Sequence, residues 1–500
     1  MQKQKPYYYQ QHDIDLLFEK MTGCEGRDCR MLYQLPTGGG KTVIFSAIAH
    51  KYITAYDKKV LILTHRAELC KQTSKALRFS TVDNKVIDSS VKRIARKETI
   101  SCYVAMVETL KRRIRDGLFD TSDIGLVIVD EAHHNSFRKL LSRFENAAII
   151  GVTATPLSSD VNLPLRNFYT EIVIGQSISK LIDEGFLARP VVREYDVELN
   201  TLRTGNTGDF TIGTSDALYG SDAMINLLLE TYRAHAQKKK TVIFNSGIIT
   251  SKKIAERFQT AGYAIKHLDN KTAAGERAEI LRWFKKTKGA ILTSVSILTV
   301  GFDEPTIQTV ILNRATTSIT LYHQMIGRGA RRLPNKKTFQ IIDLGNNTER
   351  FGAWDKAIDW QEVFTHPERY VGQIKESVSD IRQISPELRA QFPASLEVTF
   401  DIFSAYKETL EKGEKVKNVI RDSIRQHAKM CTENAQTITE AIALTDLLDK
   451  EIDLRVKDYV KCLGNVTRAY SKWLTADYKE RLKKIITRYM YGQRTLPTAV

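Results

Sequence analysis

Three consecutive glycines closed by a lysine and a threonine, Gly38-Gly39-Gly40-Lys41-Thr42 within the stretch 36–42, narrow the folds open to this chain. Glycine triplets are poor in the interior of a helix or strand, but they let the backbone curl and turn its N–H groups toward an anion. A helix starting near Thr42 adds the positive end of its dipole. In a phosphate cradle of this kind Thr37 and the three glycines line the wall, Lys41 reaches the β- and γ-phosphates, and the Thr42 hydroxyl ligates Mg²⁺. The pattern G-x-x-x-x-G-K-[ST] is not complete, because Leu35 stands where its first glycine belongs.

A second stretch, Asp130-Glu131-Ala132-His133, strengthens the first. It follows the apolar run Leu126-Val127-Ile128-Val129, so its carboxylates emerge at the C-terminal end of a buried strand, where open α/β sheets place ligands. Asp130 is then expected to hold Mg²⁺ and Glu131 to polarise an attacking water. Adjacent histidines rarely aim at one centre, so coupling is expected for His133 and packing for His134. The six cysteines, Cys24, Cys29, Cys70, Cys102, Cys431 and Cys462, form no C-x-x-C pair and read as reduced thiols rather than a zinc site.

Short apolar runs alternate with helical segments in two blocks. Candidate strands are 59–63, 126–129 and 148–152 in the first, and 241–244, 290–292, 309–312 and 339–342 in the second. Runs of this kind are typical of buried parallel strands, and two such blocks imply two doubly wound α/β domains. Beyond about residue 364 the strand signal fades into apolar positions at helical spacing. The expected division is residues 1–190, a linker over 191–225 rich in Gly, Thr and Ser, residues 226–364, and a basic α-helical domain over 365–500 ending in a frayed tail at 496–500. The 500 residues carry 75 Lys+Arg against 58 Asp+Glu, a formal net charge of +17, which favours a polyanionic partner. No apolar run approaches a membrane span and no signal-peptide pattern opens the chain, so a cytoplasmic, nucleoid-associated protein with no membrane partner is expected.

Taken together, these residues resemble the superfamily-two helicases of DEAH type, and more narrowly an XPB-like and RadD-like branch, over roughly residues 6–360. Further stretches match in order: Thr64-His65-Arg66-Ala67-Glu68-Leu69, Val107-Glu108-Thr109-Leu110, Gly151-Val152-Thr153-Ala154-Thr155-Pro156, Val242-Ile243-Phe244-Asn245, Leu298 to Pro305, and Gln324-Met325-Ile326-Gly327-Arg328-Gly329-Ala330-Arg331. The resemblance implies two tandem RecA-like domains and ATP with Mg²⁺ as cofactors. It implies that Arg328 and Arg331 reach the γ-phosphate across the cleft, a role that elsewhere contributes about 10³–10⁵ in rate. Gln324, His133, Thr153 and Thr155 would link hydrolysis to domain movement, with Gly301 and Asp303 near the ribose. Tyr9-Gln10 resembles the family's adenine reader, although Tyr7 and Tyr8 stand where Arg-Pro is usual.

The resemblance also implies a strand bound across both blocks through its phosphates, by Arg66, Thr109, Asn245, Ser246 and Thr299, with little sequence preference and 3′-to-5′ travel. DNA is favoured over RNA as the partner. An RNA helicase, a nucleic-acid clamp or sensor, and a motor subunit signalling to a partner enzyme are the alternatives, and no nuclease constellation is evident. Phe210 is a candidate strand-separating wedge, or a core residue. The C-terminal cations Lys457, Lys461, Arg468, Lys472, Lys479, Arg481, Lys483, Lys484 and Arg488, interleaved with Tyr470, Trp473 and Tyr489, would line a strand path or form the solvated face of a helical cap.

Overall fold

The computed structural model describes residues 5–24, 29–88, 91, 99–160, 162–205, 208–295, 297–299, 301–379, 384–464 and 466–494. The expected frayed tail and Val300, inside the stretch 298–305, lie outside them. In the first domain the strands are β1 (Arg30–Gln34), β2 (Lys59–Thr64), β3 (Asn84–Ile87), β4 (Cys102–Met106), β5 (Ile124–Asp130), β6 (Ala148–Thr153) and β7 (Glu171–Ile174). They form one parallel sheet in the order β3-β4-β2-β5-β6-β1-β7. β5 is buried along its whole length, which is why it reads as a continuous apolar run. β6 lies between β5 and β1, so the ends of the strands carrying Thr153, Asp130 and the phosphate loop stand side by side.

The second sheet comprises β8 (Arg189–Glu194), β9 (Thr241–Asn245), β10 (Ile265–Leu268), β11 (Ile291–Ser294), β12 (Thr309–Asn313) and β13 (Thr338–Asp343), in the order β10-β11-β9-β12-β13-β8 and again parallel. The two RecA-like α/β domains expected from the sequence are therefore present, followed by helices.

The stretch 191–225 is not a linker. Its first residues are the end of β8, which pairs along β13 from Arg189↔Thr338 to Glu194↔Asp343. Pro190 has no N–H to donate and sits on the sheet's edge, where that is tolerated. Val197, Leu199, Leu202, Phe210, Leu218 and Tyr219 are buried in the second domain's core, so Phe210 packs there and is not a wedge. The polar residues that made the stretch look like a loop are structural: Thr211 caps the helix Ile212–Tyr219, and the Asp209 carboxylate accepts from Thr316 Oγ1 and the Thr317 N–H at 2.9 and 2.8 Å.

One buried cluster runs from Tyr9 and Leu187 in the first domain to Tyr322, Trp354 and Trp360, so the facing sides of the two domains share a core. The third domain has its own core, centred on Ile424, Ile452, Tyr478 and Leu482. It docks on the second through Glu198, whose half-buried carboxylate accepts the Val398 N–H at 2.8 Å. Among its C-terminal cations, Lys461, Lys479, Arg481 and Lys484 pair with Asp458, Asp449, Asp477 and Glu480. Such pairing suits a solvated helical face. No described helix is long and apolar enough to cross a membrane.

Candidate nucleotide cleft and strand face

The phosphate loop follows β1 and enters the helix Lys41–Tyr56 with Gly40 as its N-cap. Gly38 and Gly40 take left-handed backbone (φ 92° and 90°), and a Cβ on Gly40 would lie 2.3 Å from Gln10 Nε2. Leu35, in the place of the missing glycine, is fully buried, and its N–H bonds Thr153 O at 3.0 Å. The loop is thus anchored by packing and by β6 where a glycine would have given it freedom. Lys41 Nζ bends back to donate to Leu35 O at 3.2 Å. Burial lowers its pKa, while Glu131 and Asp130 oppose that shift and Arg328 and Arg331 add to it. Charges from both domains therefore converge on this one ammonium. Thr37 and Thr42 are half-buried on the loop and on the first helical turn.

Asp130 ends β5, and its Oδ1 accepts the Glu131 N–H at 3.0 Å. Burial first, and the Glu131 charge second, push its carboxyl up. Glu131 itself is held at φ 53°, a strained conformation for a non-glycine residue. Its Oε2 is buried without a hydrogen bond, and His133 Nδ1 lies 3.4 Å away. A relay starts here. His133 Nδ1 meets Thr153 Oγ1 at 3.0 Å, Thr153 Oγ1 donates to Thr155 O at 3.0 Å, and Thr155 Oγ1 donates to Thr320 Oγ1 at 2.8 Å. Burial keeps His133 neutral, its pKa well below the usual imidazole value. The last step crosses the cleft. Thr320 lies in the helix Ile319–Gly327, which carries Gln324 and is capped at its C-terminus by Arg328. Thr320 was not legible in the sequence, because a single hydroxyl on an amphipathic helix has no motif to mark it.

Arg328 is half-buried and donates to Gln324 O at 3.2 Å and to Phe302 O at 2.7 Å; desolvation pushes its pKa down to about 10, against the attraction of Glu131. Arg331 pairs with Asp303 at 3.2 Å, and both remain about half exposed. Gln324 Nε2 is buried with no partner. The domains touch here: a Cβ on Gly327 would lie 2.5 Å from Thr37 Cγ2, and Gly301 O accepts from Gln72 Nε2. Glycine-rich backbone, an orphaned carboxylate oxygen, an orphaned amide and converging cations fit a nucleoside triphosphate. With it, Thr42 and Asp130 fit Mg²⁺, which takes one or two protein oxygens and completes its shell from phosphates and water.

Tyr9 and Gln10 are placed differently from the adenine-reading role. Tyr9 Oη and Gln10 Nε2 both donate to Gly39 O, at 2.7 and 3.1 Å, and Gln10 Oε1 accepts the Tyr7 N–H at 2.9 Å. Both residues brace the loop. The exposed aromatics nearby are Tyr7 and Tyr8, against Phe186.

On the strand face, Arg66 Nη1 donates to Ile297 O at 3.1 Å, and Glu68 pairs with Arg277 at 2.8 Å; both contacts bridge the domains. They border a cavity of about 670 Å³ that Ser246 also lines. Thr109 is half-buried on the first turn of the helix Val107–Arg115, and Thr299 is buried. Asn245 does not serve as a strand contact. It is fully buried, donating to Thr293 Oγ1 and accepting from Asn313 Nδ2, both at 2.8 Å. A polar residue at the end of an apolar strand looks available, but here it joins neighbouring strands.

Residues 3–158 match the family described as type III restriction enzyme, res subunit, and residues 222–332 match the helicase conserved C-terminal domain. A relative from Saccharomyces cerevisiae described as a putative ATP-dependent helicase, IRC3, is 31% identical over 355 residues, 67% of this chain and 51% of its own length. The chain belongs to the superfamily-two helicases. The chain also aligns over 95% of its length, at 25% identity, with 63% of a type I restriction enzyme EcoAI endonuclease subunit from Escherichia coli. It therefore spans about half to two thirds of these relatives. In fold it is similar to a fragment of a putative HsdR subunit of a type I restriction enzyme from Vibrio vulnificus, with a TM-score of 0.56 and 24% identity over 71% of this chain and 67% of that one. It is also similar to the type ISP restriction-modification enzyme LlaBIII bound to DNA, with a TM-score of 0.54 and 14% identity over 98% of this chain and 42% of that one.

Proposed function

We propose that the chain is a nucleic-acid-stimulated ATPase that moves along a strand, DNA in preference to RNA, in the 3′-to-5′ direction and with little regard to sequence. One observation carries this reading: the hydroxyl relay from His133 through Thr153 and Thr155 to Thr320. It joins the Asp130–Glu131 station of one domain to the helix bearing Gln324 and Arg328 in the other. A bound triphosphate with Mg²⁺ would supply the phosphoanhydride to be hydrolysed and the charge that draws the domains together. Glu131, with its unpartnered Oε2, is positioned to accept a proton from water. Lys41, Arg328 and Arg331 supply positive charge from both walls. Loss of that charge balance would release the relay, letting the strand face open and close with each turnover.

The narrower placement beside XPB-like and RadD-like proteins is part of this proposal. A motor subunit serving a partner enzyme is the second reading, favoured by the alignment along 95% of this chain with a restriction endonuclease subunit. Lys41→Ala is expected to abolish ATP turnover and leave strand binding; retained turnover would remove the site assignment. Displacement on 3′-tailed and 5′-tailed DNA and RNA duplexes reads substrate and polarity. Stimulated ATPase without movement on any of them would favour a clamp.

A further inference from the structure

Among the described residues, the two most exposed large apolar side chains are Ile249 and Ile212, at 65% and 62%. Both line the same cavity of about 670 Å³ as Arg66, Arg277 and Ser246. Water-facing isoleucines are each unfavourable by up to about 1.5–3 kcal/mol relative to burial, and chance would scatter them. Here they stand on the walls of one groove, each in the first turn of its helix, Ile212–Tyr219 and Ile248–Thr260. The second of those helix starts already holds an anion: Asp216 accepts from Thr250 Oγ1 and from the Thr250 N–H, the latter at 3.4 Å. A phosphate placed there would meet a carboxylate. Arg66 and Arg277 line the same cavity as cations, Arg277 paired with Glu68 at 2.8 Å. Ser246 Oγ is buried and has no hydrogen-bond partner. The groove therefore brings guanidiniums and exposed hydrocarbon together, with Asp216 occupying the helix start beside Ile249.

On the nucleic-acid reading above, on which this inference rests, we propose that Ile212 and Ile249 clamp the base-and-sugar face of the strand while its phosphates turn toward Arg66 and Arg277. Hydrocarbon packs against any base face, so such a clamp grips without reading sequence. Its position is also tied to the nucleotide side. Asp209, three residues before Ile212, accepts from Thr316 and Thr317 and pairs with Arg314 at 3.3 Å. That segment leads into the helix carrying Thr320 and Gln324. A shift of this helix would therefore carry the clamp with it, gripping and releasing a base as the cleft closes and opens.

The test compares equilibrium binding of a labelled oligothymidylate with that of an equally long strand lacking bases, in wild type and in the Ile212→Ala/Ile249→Ala protein. Far-UV circular dichroism and thermal melting confirm that the variant is folded. Wild type is expected to prefer the strand with bases. The double variant should lose about tenfold in affinity for that strand, as expected for removing partly buried aliphatic surface, with no change for the abasic one. Its affinity should keep the same dependence on salt, because no phosphate contact is touched. Ile249→Phe should strengthen the preference. Equal binding of both strands by wild type, or equal weakening of both by the double variant, overturns the clamp and leaves the nucleic-acid reading standing. Failure of wild type to bind either strand overturns the reading itself.

Discussion

Buried charge is handled in opposite ways in the cleft and in the third domain. In the third domain, fully buried Arg455 donates to Glu451 at 2.9 Å, Gln426 at 2.8 Å and Ser423 at 3.2 Å, and Arg389 donates to the carbonyls of Phe392 and Ser395 at 2.6 and 2.7 Å. Arg455 is enclosed by side-chain partners, and Arg389 is held by both of its terminal nitrogens, with only Nε left unpartnered. In the cleft, Glu131 Oε2 and Gln324 Nε2 are buried and unsatisfied, and Arg328 holds only carbonyls within its own domain. Unsatisfied buried polar groups are destabilising, so a site that keeps them is arranged for something that arrives. The third domain's charges fix a shape, and those of the cleft await a ligand.

The largest expected effect strikes the cleft. Arg328→Ala should lower strand-stimulated ATP turnover by about 10³-fold or more, with the melting temperature nearly unchanged, as expected for a group that acts on transferring phosphate. A loss of less than tenfold would make Arg328 a structural residue, like Arg455. The reverse substitution probes the other region. Arg455→Ala leaves Glu451 buried without its arginine and should cost about 3–5 kcal/mol of stability, seen as an early unfolding step of the third domain. ATP turnover below that step should stay as it was. Turnover falling in parallel would tie the helical domain to the chemistry and blur the contrast.

A smaller effect concerns His323, buried beside Trp354 and Trp360, with its pKa lowered to about 4 by burial. The unfolded chain takes up this proton near pH 6.5 and the folded one only near 4. The histidine's contribution is therefore complete above pH 6.5 and is lost as the pH falls toward 4, amounting to about 2 kcal/mol by pH 5. Denaturant titrations at pH 7.5 and pH 5 should show a smaller difference for His323→Phe than for wild type. Equal differences would mean that the ring is not held neutral.

The sheets and the phosphate loop's place after β1 were legible in the sequence where one residue type is forced. Gly38 to Thr42 announces itself because a Cβ at Gly38 or Gly40 would collide with its neighbours, and Asp130-Glu131 because paired acids close the apolar run of β5. β8 was hidden because an edge strand keeps Arg189, Arg193 and Glu194 at the surface and tolerates Pro190, so it carries no apolar run. The helix Ile212–Tyr219 was hidden by the Thr and Gly residues around it, which cap rather than disorder it. Asn245 misled because a strand-end amide looks the same in sequence whether it faces solvent or, as here, joins β9 to β11 and β12. Thr320 and the paired isoleucines matter only through partners far away in the chain, and single-sequence patterns do not carry that information.

The most direct measurement of the account is a double-mutant cycle on Thr155→Val and Thr320→Val, read as strand-stimulated ATP turnover. If their 2.8 Å hydrogen bond transmits between the domains, either single change should reduce stimulation by about three- to tenfold, the worth of one hydrogen bond, and the double variant should lose no more than either alone. Effects that multiply in the double variant, or single variants that stimulate normally, would contradict a relay through these two hydroxyls.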